Sequence, residues 1–264
     1  MLITLLTDFG TADYFVGAMK GVILSLNRDA RIVDITHEIP PQDIEAGAFN
    51  LMAVYESFPA GTVHVAVVDP GVGSNRRPIL VSAAQQFFVG PDNGLFSYIY
   101  ERERDGKVFH LTNERYFRPH VSPTFHGRDV FAPVAGALSL GVSPEQLGDE
   151  ITDYVRLPHL VPESSAENVI AAAIIHIDRF GNCITNLTPN HLSEAMIAAG
   201  MGLTVNGRKI TKFRRFFAED TDAPGELFAI WGSAGFLEIA AYRASAAQLL
   251  GVERRQLITV TSDK

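Results

Sequence analysis

From its start to about Leu157 the chain alternates short apolar runs with stretches of helical period, which confines it to a layered α/β fold. Residues 2–6, 31–35, 63–68, 78–83 and 86–89 read as strands. The 63–68 run is nearly all β-branched or small, as in a strand covered on both faces. Residues 14–26 carry Phe15, Met19, Val22 and Leu26 on one helical stripe. A second helix is expected from about Asp43, with Asp43 as N-cap and Pro40-Pro41 barring an earlier start. A third helix is expected over 129–140, capped by Asp129. Strand–helix–strand alternation of this kind predicts a mainly parallel sheet covered by helices.

The pattern changes after residue 157. Residues 158–166 are rich in proline and serine and read as a linker. Beyond them, 168–177, 183–187, 203–205, 227–231, 236–240 and 257–260 are strand-like, with short helices near 190–198 and 245–250. Asn206-Gly207 signals a hairpin. The expectation is an α/β domain over 1–157 and a smaller, β-barrel-like domain over 167–264.

Apolar residues make up 47% of 264, enough for a large core without staples. A net charge of −8 argues against a nucleic-acid partner. The single cysteine, Cys183, excludes an internal disulfide and suits a reducing compartment. The first residues lack the basic region of a signal peptide, and no apolar run approaches a membrane span. A cytoplasmic protein with neither membrane nor nucleic acid as partner is expected.

Five polar motifs are candidates for chemistry: Thr7-Asp8-Phe9-Gly10, Asp69-Pro70-Gly71-Val72-Gly73, Gly90-Pro91-Asp92-Asn93-Gly94, His126-Gly127-Arg128-Asp129 and Asp178-Arg179-Phe180-Gly181-Asn182. The first three directly follow strand-like runs, where an α/β sheet presents its ligand site. Asp8 alone reads as a helix cap, but Asp13 puts a second carboxylate on the same loop, and two such groups repel unless a cation or hydroxyls lie between them. Asp69 ends a wholly apolar strand, with Arg76 and Arg77 close enough in sequence to hold it ionised. The fourth motif sets an imidazole, a guanidinium and a carboxylate around one glycine, with His126 the accessible member. Asn93 is a possible lining residue in what is mostly a turn. In the last motif an aromatic ring beside a carboxamide suits a purine, by stacking and by hydrogen bonds to its edge. The remaining histidines, including His37 and His64, have no comparable company. Phosphate loops, dinucleotide fingerprints, zinc motifs and nucleophile elbows are missing.

In this order, the motifs resemble the S-adenosylmethionine (SAM) hydroxide adenosyltransferases, relatives of the SAM-dependent fluorinase and chlorinase, across essentially the whole chain. The resemblance implies hydrolysis of SAM to adenosine and L-methionine, with SAM as substrate, no cofactor and no metal. It also implies a homotrimer whose sites lie between the N-terminal domain of one subunit and the C-terminal domain of the next. Under it, Asp8 accepts from both ribose hydroxyls, and Asp13 and Asp178 face the methionine ammonium. Phe180 stacks on adenine, Asn182 reads its edge, and Ser233 binds the methionine carboxylate. The halogenases carry arginine after that serine, where this chain has Ala234.

Asp69, Arg76 and His126 match the family's water-activating trio. The halogenases place tyrosine at the Asp69 position and serine at the Gly127 position, so both departures favour water over halide. A sulfonium needs no general acid to leave, but water must be aligned behind C5′ and lose a proton, to Asp69 or to His126. Three other readings compete: a SAM-dependent halogenase, a metal-dependent nucleoside hydrolase built on the Asp8–Asp13 loop, and a non-catalytic SAM or adenosine sensor.

Overall fold

A computed structural model of the chain describes residues 1–158, 161–164, 169–219 and 223–262. It divides into two compact units, 1–157 and 158–264. The first contains, in order, β1 (Leu2–Thr7), α1 (Phe15–Leu26), β2 (Arg31–Thr36), α2 (Ile44–Val54), β3 (Val63–Val67), β4 (Pro78–Ala83), β5 (Gln86–Pro91), α3 (Ser97–Arg102), β6 (Lys107–Leu111), α4 (Ala132–Ser139), α5 (Pro144–Leu147) and β7 (Gly148–Ile151). A single π-helical turn, Gly127–Phe131, runs directly into α4.

The seven strands form one sheet in the order β2-β1-β3-β5-β4-β6-β7. Its first three pairings are parallel and its last three antiparallel, so the sheet is mixed rather than mainly parallel. The cause is the β4–β5 connection. Ala84 and Gln85 both adopt positive φ, 52° and 58°, and close a two-residue hairpin without the glycine or asparagine that normally announces one. The chain then reverses, and β6 and β7 continue the antiparallel half.

The central strands are buried on both faces. Ile3, Leu5, Val63, Val65 and Val67 pack against Val16, Met19 and Ile23 of α1 and Val134, Ala135 and Leu138 of α4. Of the expected α1 stripe, Met19 is buried and Phe15 and Val22 pack partly buried against this core, while Val16 and Ile23 complete the buried face and Leu26 is exposed. Asp43 caps α2 through Ala46 N, as its position predicts. Asp129 caps nothing. Its carboxylate is fully buried and takes Arg128, Arg118 and Ser122 N.

His64 lies within this sheet, between Thr4 and Gln86. Its Nδ1 is 2.7 Å from Thr4 Oγ1 and its Nε2 3.2 Å from Gln86 Oε1, and the ring stacks on Phe88. Burial pushes its pKa down from 6.5 to about 4. The unfolded chain therefore binds the proton at a higher pH than the folded one. This stabilisation is present above pH 6.5 and is lost as pH falls through about 4, amounting to about 3 kcal/mol. Thermal melts should show stability dropping across that window. In His64→Leu the drop should be shallower, from a lower starting point because Thr4 and Gln86 lose a partner.

The second unit contains β8 (Glu163–Ser164), β9 (Ile170–Ile177), β10 (Cys183–Thr185), α6 (Glu194–Ala198), β11 (Met201–Val205), β12 (Arg208–Ile210), β13 (Phe213–Arg214), β14 (Leu227–Trp231), β15 (Leu237–Ala241), α7 (Ala246–Leu250) and β16 (Leu257–Ser262). Nine strands join in the order β12-β11-β16-β9-β10-β15-β14-β13, with β8 paired to β9. Strand β12 also approaches β14 from across this order, so the sheet curls into a half-barrel. Of the stretch read as a linker, Glu163 and Ser164 pair with β9, while residues 159, 160, 165 and 166 lie outside the described set, as does Asn168. Asn206 and Gly207 turn the β11–β12 hairpin with φ of 47° and 72°.

Candidate functional site

The register of the parallel strands brings the N-terminal motifs to one edge. Thr7 of β1 pairs with Val67 of β3, and Val65 pairs with Val89 of β5. Asp8, Asp69 and Asn93 therefore follow neighbouring strands at the same carboxyl end of the sheet, where open α/β sheets place their ligands.

Asp69 and Arg76 lie on one loop and form a two-pronged pair. Arg76 Nε is 2.9 and 3.0 Å from the two carboxylate oxygens, and Nη2 also bonds Oδ2. Both side chains are almost wholly buried. The same Nη2 lies 2.7 Å from His126 Nδ1, and the guanidinium rests on the Phe131 ring. An arginine only donates, so His126 Nδ1 must accept and its proton must sit on Nε2. Burial, then the Arg76 charge, lowers the His126 pKa and keeps the ring neutral. Arg76 Nη1 is buried without a partner. The π-helical turn that begins at Gly127 directly follows His126, and such turns recur at functional sites.

Asp8 Oδ2 accepts from Gln42 N at 2.8 Å. Partial burial raises the Asp8 pKa, the Gln42 bond opposes that, and the Asp69 charge adds to it. Asp8 and Asp69 thus share one electrostatic environment. Asp13 is exposed. Asn93 is largely spent on bracing, its Nδ2 donating to Val68 O and its Oδ1 accepting from Leu95 N. Arg77 turns away from Asp69 to Asp92 and Asp153.

In the second unit, residues 178–182 form the tight β9–β10 turn. Asp178 Oδ1 accepts from the backbone N–H groups of Phe180 and Asn182, both at 2.9 Å, and Oδ2 accepts from Asn182 Nδ2 at 2.8 Å. This network fixes the turn and leaves Asn182 Oδ1 aside. Phe180 stands at the tip with 78% of its surface exposed. Ser233 is exposed in the β14–β15 turn. Glu238, on the strand next to β10, was not legible as a candidate. Burial and the charge of Asp178 raise its pKa, and its carboxyl packs where a Gly232 Cβ would lie.

The model of the SAM hydroxide adenosyltransferase N-terminal domain matches residues 3–148, and that of the C-terminal domain matches residues 172–259. The chain belongs to this family. A relative from Methanocaldococcus jannaschii, named (R)-S-adenosyl-L-methionine hydrolase, is 37% identical over 96% of this chain and 92% of its own. A fluorinase from Nocardia brasiliensis is a more distant relative, 25% identical over 93% and 92%. The crystal structure of a conserved Thermotoga maritima protein superposes with a TM-score of 0.86 at 32% identity, covering 98% of this chain and 99% of that one.

Proposed function

We propose that this protein hydrolyses S-adenosyl-L-methionine to adenosine and L-methionine by direct attack of water on C5′. The carrying observation is the continuous Asp69–Arg76–His126 hydrogen-bond chain at the carboxyl edge of the sheet. It supplies an anionic acceptor and a neutral imidazole donor at one place, which fits water as the nucleophile.

In this reading the water oxygen forms a bond to C5′ while the C5′–S bond breaks, its electron pair neutralising the sulfonium. His126 Nε2–H donates to the water and orients it. Its Nδ1 is committed to Arg76, so the proton released goes to Asp69. An anionic Asp69 repels halide. Gly127 offers no hydroxyl, and a Cβ there would come within 3.2 Å of Met19 Sδ and Phe125, so the position of the halogenase serine is tight.

The binding roles extend this reading. Asp8 takes the ribose hydroxyls, with its carboxylate oriented by the Gln42 N–H on Oδ2. Phe180 stacks on adenine and Asn182 reads its edge; Asp13 and Asp178 face the ammonium, and Ser233 the methionine carboxylate. Supporting them is the exposed Phe180 ring on a turn rigid enough to present it. The reaction requires no cofactor or metal, and the assembly is a cytoplasmic homotrimer with each site completed by a neighbouring subunit. The printed name of two relatives, (R)-S-adenosyl-L-methionine hydrolase, supports the (R)-sulfonium epimer as the substrate.

Incubation with each sulfonium epimer in ¹⁸O-water tests this. The expected result is faster consumption of the (R) epimer, with label in the 5′-hydroxyl of adenosine and none in methionine. Binding without turnover of either epimer would reduce the protein to a sensor. Activity lost to a chelator and restored by metal would favour a metal-dependent hydrolase.

A further inference from the structure

The loop that carries Asp8 is anchored by a second, buried polar chain that the water-activating trio does not use. Thr7 Oγ1 lies 2.8 Å from His37 Nδ1, and the same oxygen accepts from Phe9 N at 3.2 Å. On its other side, His37 Nε2 faces Asp34 Oδ1 at 3.1 Å, a bent contact, and Asp34 Oδ2 is held by Lys20 Nζ at 2.6 Å. The backbone closes the same contact, because Gly10 N donates to His37 O at 2.8 Å.

The polarity of this chain follows from its members. The Asp34 carboxylate only accepts, so it favours the proton on His37 Nε2. His37 Nδ1 is then an acceptor, and the Thr7 hydroxyl donates to it while accepting from Phe9 N–H. Lys20 Nζ–H, Thr7 Oγ1–H and Phe9 N–H each then meet an acceptor, and His37 Nε2–H faces Asp34 Oδ1 at a bent angle. Thr-His-Asp order suggests a nucleophilic triad, but Thr7 is fully buried and cannot meet a substrate. His37, only 4% exposed, is likewise shielded. The chain can act only on what it holds, the Thr7–Gly10 turn.

That turn bears Asp8, and the second grip on Asp8 comes from the same β2–α2 connection. Gln42, whose N–H binds Asp8 Oδ2, has φ of +67°, a left-handed conformation that costs a non-glycine residue energy and persists only when its surroundings enforce it. His37 and Gln42 thus clamp Asp8 from the two ends of one short connection, residues 37–43.

We propose that His37, locked by Asp34 and Lys20, is a positioning residue that sets the Asp8 carboxylate for the ribose hydroxyls. The proposal rests on the reading of Asp8 as the ribose acceptor. It requires that loss of His37 be felt at the ribose and not across the whole ligand.

Calorimetric binding of adenosine and of 2′,3′-dideoxyadenosine separates these effects. Asp8→Ala should collapse the preference for adenosine. His37→Gln should weaken adenosine by about tenfold, the effect of one well-placed hydrogen bond to a charged group, and leave the dideoxy analogue unchanged. Asp8→Ala/His37→Gln should bind adenosine no more weakly than Asp8→Ala alone. Asp34→Ala, at a half-exposed position, should give a smaller loss of the same selectivity, and it serves if the His37 variant does not fold. Equal weakening of both ligands, or an additive double variant, overturns the positioning role. Unchanged selectivity in both His37→Gln and Asp34→Ala beside a normal collapse in Asp8→Ala overturns it alone. Unchanged selectivity in Asp8→Ala overturns the ribose reading and this proposal with it.

Discussion

Asp69→Asn is expected to lower kcat by roughly 10²- to 10³-fold while leaving the affinity for SAM close to wild type. The substitution keeps an oxygen that Arg76 can bind and changes shape little, so the water site should survive. What it removes is the negative charge that receives the proton. It also leaves Arg76 without its counter-ion beside His126, which is held neutral partly by that same arginine. The mutant water then meets net positive charge and no base. Pre-steady-state turnover beside equilibrium SAM binding separates the two contributions. An equal loss in both would make Asp69 a binding group, and unchanged kcat would remove it from the chemistry.

In the proposed reaction, His126 should set the acid limb. Its folded pKa lies below the ordinary histidine value, so it is neutral at pH 7. As pH falls through the lowered value the ring protonates, Nδ1 can no longer accept, and two cations face each other. Activity should therefore fall on the acid side, with a midpoint below the ordinary histidine value.

How much of this was legible in the chain differs between its halves. The strand-end carboxylates were, because an apolar run that stops at an aspartate marks both the edge of the sheet and its ligand side. The Asp69–Arg76 partnership was readable from proximity in sequence. The direction of β4 against β5 was legible in the spacing but not read from it: two residues between runs 78–83 and 86–89 allow only a hairpin. It was passed over because Ala84-Gln85 lacks the glycine or asparagine that usually signals φ > 0. Asp129 misled for the opposite reason. Its place before a helical run fits a cap, but a π-helical turn intervenes and burial with two arginines decides its partners. His37 was passed over because its partners, Thr7 and Asp34, lie 30 residues upstream and on the preceding strand, and only the β1–β2 pairing brings them together. The structure shows Phe180 exposed at the tip of its turn, an aromatic ring that a tight turn does not itself need.

The second large effect is expected from one added methyl group, in Gly181→Ala. Gly181 has φ of +83°, a conformation costly to any residue with a Cβ. A Cβ built there would lie 2.0 Å from Ser245 Oγ, 2.6 Å from its Cβ and 3.0 Å from its Cα, so rotating the serine side chain does not clear it. Ser245 cannot retreat freely either. Its Oγ caps α7 through Gln248 N, and Gly181 O accepts from Ala247 N at 2.9 Å. The turn must therefore yield. It is the turn whose Asp178 carboxylate organises Phe180 and Asn182, so its distortion moves the Phe180 ring, proposed to stack on adenine, and the carboxamide together. Adenosine affinity should fall by more than the loss from Phe180→Ala, which stacking alone puts at about 1–3 kcal/mol. Far-ultraviolet dichroism should stay native, because the strain is confined to one hairpin end and the core of the second unit is built from other residues. Gly181→Ala/Ser245→Gly removes the two nearest clashing atoms and should recover part of the affinity, despite the weaker cap. Wild-type binding in Gly181→Ala would mean that the turn is a connection only, and that the ligand does not depend on the placement of Phe180.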